Sequence, residues 1–267
     1  MNDSAILLDG ITKTFGSVQV LRGVSFHVRR GERLGFLGPN GAGKTTTIRV
    51  LMGFINPDAG TARVLGFDAG RASTKIKRQI GFLPDIISFG SGHSGETFLA
   101  HIGKLHGIDG VPSMQRELLE RLELSNSALR RGVKGYSTGM AKKLALVQAM
   151  QHDPELLILD EPTEALDPLI RRRLFELFDD LQKRGTTILM SSHVLADVEE
   201  TCQRIALIRQ GRILRFGPVD ELRVGRVRTM KVTLREATDE FKVDGARVVE
   251  YRGRSVLLEI EGDINEI

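Results

Sequence analysis

Apolar positions along the 267-residue chain change their spacing from one stretch to the next. Ile6-Leu7-Leu8, Ile11 and the period-two run Val24-Ser25-Phe26-His27-Val28 predict short strands over 6–36. Gly31-Glu32 marks a turn, and Arg33-Leu34-Gly35-Phe36-Leu37 reads as a buried strand entering a glycine-rich loop. Thr45 to Phe54 fits a helix, stopped by Asn56-Pro57-Asp58-Ala59-Gly60. From Glu96 to Gln151 the pattern is mostly helical, with a helix expected from Ala141. Glu155 to Asp160 is an apolar strand ending in acids. Leu169 to Leu181 repeats apolar residues at helical spacing, through Ile170, Leu174, Leu177, Phe178 and Leu181. Thr186 to Met190 is another buried strand, and Arg204–Ile208 and Arg212–Phe216 flank Gly211 as a hairpin. The Gly/Ser cluster from Phe89 to Gly95 reads as a surface loop. Strands alternating with helices predict an α/β domain with a largely parallel sheet.

Composition narrows the class further. Hydrophobic residues make up 41% and charged residues 27%, ordinary for a globular chain large enough to bury a core. One cysteine, Cys202, excludes an internal disulfide framework and a paired-cysteine zinc site. No apolar run approaches the ~20 residues of a membrane-spanning helix, and no leader pattern opens the chain, so a cytosolic protein is expected. The net charge of +4 decides nothing about nucleic acid, but its distribution is uneven. Arg204–Arg235 holds nine basic and two acidic residues, whereas Glu236–Ile267 holds four and nine. A separate C-terminal element beginning near Val224 is therefore expected, with strand-like runs at Met230–Leu234 and Val256–Ile260. Its pattern stops at Ile267 without an evident end, so an incomplete tail is the expectation.

The candidate chemistry begins at Gly38-Pro39-Asn40-Gly41-Ala42-Gly43-Lys44-Thr45, followed by Thr46. Glycines at this spacing, between a strand and a helix, let main-chain N–H groups turn toward phosphate oxygens. Lys44 offers a point charge to the outer phosphates, Thr45 a hydroxyl to Mg²⁺, and the helix its positive end. Leu156-Leu157-Ile158-Leu159 then delivers Asp160 and Glu161 to the carboxyl end of a strand, where ligands of α/β sheets gather. Asp160 is expected to hold Mg²⁺ beside Thr45, and Glu161 to orient or deprotonate the attacking water. Tyr136-Ser137-Thr138-Gly139-Met140 precedes a helix; Ser137 is a good capping residue, and the amides after Gly139 are a candidate anion site.

In this order the motifs closely resemble the nucleotide-binding subunit of ATP-binding cassette (ABC) transporters, over roughly residues 5–220. Tyr136 to Met140 stands in the place of the signature motif, Asp160–Thr163 in that of Walker B, and Glu164–Pro168 in that of the D-loop. Ser191-Ser192-His193 resembles the switch-histidine segment, so His193 is expected to reach a γ-phosphate. Phe15 sits where the family stacks an aromatic ring on adenine, and Ser137 with Gly139 where it contacts a partner's nucleotide. The resemblance implies a P-loop NTPase core with a mostly parallel sheet, an antiparallel β subdomain and a helical signature subdomain near 86–150. It places the ATPase domain at 1–223 and leaves 224–267 as a small α+β-like accessory segment. Asp85 replaces the family's glutamine as a charged ligand to Mg²⁺. Thr138, Met140 and Glu164 also depart from the usual pattern.

The implied function is an ATP-hydrolysing subunit that pairs with a second cassette, as homodimer or heterodimer, around two ATPs. It drives transport, with export the expected direction, through a separate integral membrane permease. The chain would then lie peripherally at the cytoplasmic face of the membrane, and contact with the permease is expected near Asp85–Phe98. The competing reading is a nucleotide-gated nucleic-acid or ribosome-associated cassette. The long coiled-coil or zinc insertions, or the second cassette, that such proteins carry have no counterpart in this sequence, so no nucleic-acid partner is expected.

Overall fold

Two kinds of strand build two different sheets. In a computed structural model of the protein, which describes residues 4–71, 77–90, 92–222, 227–234 and 246–261, β1 (Ser4–Phe15) and β2 (Val18–Arg29) bury Ile6, Leu8, Ile11, Val24, Phe26 and Val28 and expose residues between them. A sheet with one covered face produces that alternation. β1 pairs antiparallel with β2 and with β4 (Ala59–Val64), and β4 pairs with β5 (Phe67–Asp68). The short strands expected over 6–36 are in fact two 12-residue strands followed by a separate one. Irregularities in the β1–β2 register, such as that between Leu8 and Ile11, interrupt the alternation and make each long strand read as pieces.

The second sheet has the order β10-β9-β3-β8-β7-β6, from β3 (Arg33–Leu37), β6 (Ile80–Leu83), β7 (Leu156–Leu159), β8 (Thr187–Ser192), β9 (Arg204–Arg209) and β10 (Arg212–Pro218). The contacts β9–β3, β3–β8, β8–β7 and β7–β6 are all parallel. Strands covered on both faces need continuous apolar sequence, and every residue of β7 and β8 is buried. Because the strands are parallel, their carboxyl ends share one edge. Leu37 lies opposite Ser192, Leu159 opposite Met190, and Leu83 opposite Leu159. That edge carries the candidate site.

The first helix, α1 (Lys44–Leu51), leaves β3 through the glycine-rich loop. Next come α2 (Gly95–Leu105), α3 (Ser113–Arg121), α4 (Asn126–Leu129) and α5 (Thr138–Met150), the last packing on α2, α3 and β6. Ser94, in the cluster read as loop, accepts from the Thr97 N–H and starts α2, so the end of that cluster belongs to the helix. Ser91 lies outside the described residues. The expected amphipathic helix is α6 (Pro168–Lys183), capped by Asp167 on the Ile170 N–H, and all five predicted apolar positions are buried. A last helix, α7 (Leu195–Thr201), follows β8.

The chain divides into two units, residues 1–217 and 218–267. In the second, β11 (Val227–Thr233), β12 (Ala246–Arg252) and β13 (Ser255–Glu261) form an antiparallel sheet in the order β11-β13-β12. Val256 and Leu258 are buried under Val232, Leu234, Val248 and Tyr251. The expected boundary after 223, residues 235–245 and residues 262–267 lie outside the described residues.

Candidate nucleotide site

The loop between β3 and α1 is held open from beneath. The Gly38 N–H donates to the Ser192 carbonyl at 3.1 Å, and a Cβ on Gly38 would lie 2.4 Å from the Ile208 carbonyl oxygen. Gly43 caps α1 at φ +112°, a left-handed conformation suited to glycine, and supplies no side-chain acceptor. The first amides of α1 therefore form a positive N-terminus available to an anion. Lys44 is buried and folds back over the loop, its Nζ donating to the Gly38 carbonyl at 2.7 Å. Asn40, Gly41, Gly43, Thr45 and Thr46 face a cavity of about 470 Å³ with Lys44 at its floor. Pro39 and Ala42 shape the loop: Pro39 accepts from Lys44 Nζ at 3.4 Å, and Ala42 is buried.

The opposite wall comes from the ends of β6, β7 and β8. Asp85, Glu161, Glu164 and His193 all face the same cavity. Glu161 is buried, with its carboxylate between two partners: Oε1 lies 3.2 Å from Lys44 Nζ, and Oε2 lies 2.9 Å from His193 Nδ1. The Lys44 approach is an ion pair without hydrogen-bond alignment, so Oε1 has no hydrogen-bond partner. Asp160 is 1% exposed and accepts from the Ser191 hydroxyl. Burial pushes its carboxyl above the ordinary range; hydrogen bonds from Ser191 and Thr45 oppose this, and the nearby Asp85 and Glu161 charges add to it.

The donors here suit Mg²⁺, a hard ion held by one or two carboxylates together with substrate phosphates. Thr45 and Asp160 are hydrogen-bonding neighbours, and Asp85 is close enough to raise the Asp160 pKa. These are the three residues expected as ligands, and each supplies a hard oxygen.

Gly38, Pro39, Ala42 and Asp160 lie behind the residues that line the cavity, and Phe15, Ser137 and Gly139 belong to other parts of the surface and fold. Phe15 is 47% exposed at the end of β1, with Lys13 Nζ 5.6 Å from its ring centre, and Val20 lines the cavity on that side. Ser137 accepts from the Met140 N–H at 3.2 Å as the N-cap of α5. Gly139 is packed so that a Cβ would stand 3.0 Å from the Ala165 carbonyl oxygen, next to the D-loop segment of the same chain.

The family model described as "ABC transporter" matches residues 21–164, more than half of the chain. The chain belongs to the ABC transporter family. The Nod factor export ATP-binding protein I of Paraburkholderia xenovorans is 38% identical over 219 residues, covering 81% of this chain and 72% of the relative. A daunorubicin resistance ATP-binding protein of Streptomyces coeruleorubidus is 38% identical over 241 residues, covering 89% and 76%. A solved ATP-binding subunit of an ABC transporter superposes with a TM-score of 0.76 at 28% identity, covering 82% of this chain and 92% of that one. This ABC protein is thus an ATP-binding ATPase whose hydrolysis is coupled to transport. ABC ATP-binding subunits dimerise and work with membrane components. Among the described residues of this ABC subunit, no helix is long and apolar enough to cross a membrane.

The structure of the ABC subunit also brings in residues that sequence reasoning passed over. Lys142, on α5, is 3% exposed, and its Nζ donates to the Glu161 main-chain carbonyl at 2.9 Å. Burial pulls its pKa below the usual lysine value, against the opposing pull of Glu164, Asp85, Asp160 and Glu161. Asp197, fully buried on α7, accepts from Thr163 and pairs with Arg171, so it links the end of Walker B to α6. A lysine in the second turn of a helix and an arginine in an Arg-Arg-Arg run carry no mark in the sequence of what they meet. Only their neighbours across the fold distinguish them.

Proposed function

We propose that the chain is the ATP-hydrolysing subunit of an exporter, working at the cytoplasmic face of a membrane with a separate integral permease. The export direction rests on relatives named for Nod factor export and daunorubicin resistance. In this reading residues 1–223 form the ATPase domain, with its helical part near 86–150, and 224–267 an accessory segment. The observation that carries the chemical part is the meeting of Lys44, Asp85, Glu161 and His193 around one cavity at the strand ends.

Gly38 to Thr46 bind the ATP phosphates, main-chain N–H groups and Lys44 supplying the positive field that phosphoryl transfer requires. Phosphate oxygens draw Lys44 from Glu161 and so free the Glu161 carboxylate. Glu161 then orients a water toward the γ-phosphorus and accepts its proton as the water attacks, while the bond from that phosphorus to the bridging oxygen breaks and ADP leaves. His193, already hydrogen-bonded to Glu161 Oε2, holds that carboxylate and reaches the γ-phosphate. Thr45, Asp85 and Asp160 would hold Mg²⁺, which when bound neutralises phosphate charge. Phe15 stacks on adenine. Ser137 and Gly139, turned away from the chain's own cavity, serve the nucleotide of a second cassette, so the active assembly is a homodimer or heterodimer.

The test is direct. The purified chain supplied with Mg²⁺ and ATP should release phosphate, and tagged chain should retain an integral membrane protein from detergent-solubilised membranes. Absence of phosphate release overturns the enzymatic reading. Phosphate release with retention of ribosomes or nucleic acid, and of no membrane protein, overturns the transport reading.

A further inference from the structure

Glu161 has an unusual backbone for its residue type, with φ at +51°. A glutamate in the left-handed region persists only where its surroundings hold it there. Two contacts do so. The Glu161 N–H donates to the Ser191 hydroxyl at 3.0 Å, and the Glu161 carbonyl accepts from Lys142 Nζ at 2.9 Å. All three residues are buried. The left-handed turn decides where the side chain leaves β7, and here it carries the carboxylate to Lys44 and His193.

The two side-chain partners of Glu161, Lys44 and His193, both line the cavity, where the phosphates of a bound nucleotide would compete for them. The carbonyl of Glu161 is held instead by Lys142, which does not line the cavity. Burying an ammonium is costly unless it is hydrogen-bonded and faces opposite charge. The Lys142 ammonium has both, with Asp85, Asp160, Glu161 and Glu164 near enough to favour its charged form.

We propose that Lys142 is a positioning residue for ATP hydrolysis: by holding the Glu161 carbonyl it fixes the left-handed turn that aims the Glu161 carboxylate at the attacking water. The inference rests on the assignment of Glu161 as the base. Lys142 touches neither substrate nor metal in this role.

The experiment compares the parent chain with Lys142→Met, Lys142→Gln, Glu161→Gln and the Lys142→Met/Glu161→Gln double variant. It measures steady-state ATP hydrolysis, ATP affinity and thermal stability. Lys142→Met, which has no donor, should lose at least tenfold in kcat with ATP affinity within about threefold of the parent. Lys142→Gln, which retains a donor, should recover a substantial part of that loss. The double variant should be no slower than Glu161→Gln, because both changes disable the same group. Parental kcat in Lys142→Met, with Glu161→Gln slow, overturns the role of Lys142 alone. Parental kcat in Glu161→Gln overturns the assignment of the base, and the proposal with it. Equal losses of kcat, affinity and stability in both Lys142 variants mean that the lysine only supports the fold, and also overturn it.

Discussion

Lys44 Nζ stands 3.2 Å from Glu161 Oε1, so the lysine of the glycine-rich loop and the glutamate after β7 form a buried ion pair across the strand ends. The two lie far apart in sequence and meet only through the fold. In the proposed function phosphate oxygens take Lys44 from Glu161, so nucleotide binding exchanges one ion pair for another. Buried pairs carry a desolvation cost that good geometry only partly offsets, so the exchange is feasible.

The first prediction follows from that exchange. Lys44→Ala removes a charge-assisted contact to phosphate worth roughly 1.5–3 kcal/mol. ATP affinity, measured by calorimetry, should fall by one to two orders of magnitude. Unchanged affinity would remove Lys44 from the phosphate site.

Glu161→Gln keeps the shape and hydrogen-bonding capacity of the side chain but not its basicity. General-base catalysis contributes about 10²–10⁴-fold. Hydrolysis should fall within that range while ATP binding persists, and size-exclusion chromatography with ATP should show an accumulated dimer. Parental turnover would transfer the role elsewhere, with His193 next to be tested.

Ser137 has two roles to separate, because it caps α5 as well as standing in the signature position. Ser137→Asp retains a capping oxygen but puts negative charge where a partner's phosphate should sit. Ser137→Arg also loses the cap, at a cost of about 1 kcal/mol. Both variants should bind ATP as monomers and fail to dimerise or hydrolyse, and only the arginine variant should melt measurably lower. Normal ATP-driven dimerisation of Ser137→Asp would reduce the segment to a helix cap.

A fourth prediction concerns acid stability. His152 stacks on His106 with ring centres 3.7 Å apart, and burial, with His106 beside it, lowers its pKa to about 4. An unfolded histidine titrates near 6.5. Between those values the unfolded chain binds the proton and the folded chain does not, so stability is full above about pH 6.5 and is lost as pH falls toward 4. At pH 5 the loss from this residue approaches about 2 kcal/mol. His152→Phe keeps a stacking ring without the titration, so its melting temperature should fall less between pH 7 and pH 5. Parallel melting curves for the two proteins would exclude His152 as the source.

Local chemistry was legible in the sequence wherever one short segment sufficed. The spacing of Gly38, Gly41, Gly43 and Lys44 specifies the tight loop between β3 and α1, because glycine alone tolerates both the close approach at Gly38 and the left-handed turn at Gly43. The run Leu156–Leu159 specifies a strand buried on both faces, and therefore the acids at its end. The apolar spacing from Ile170 to Leu181 specifies the buried face of α6. β4, β5 and β12 escaped that reading. β4 and β5 are short, follow a turn-rich stretch and expose most of their residues, and β12 is mixed with charge, so none has the clear alternation that period-two reasoning requires.

What only the tertiary structure decided is which separate segments meet. Parallel pairing of β3, β8, β7 and β6 gathers four strand ends on one edge, and so brings Lys44 to Glu161 and Glu161 to His193. The same packing buries Lys142 against the Glu161 carbonyl and sets the half-buried Arg171 on the buried Asp197, while Arg172, one residue on, stays exposed. A charged residue on a helix has one sequence signature whether it faces water or a buried carboxylate. Its environment is set by distant residues brought together by strand order, and that is a property of the assembled chain.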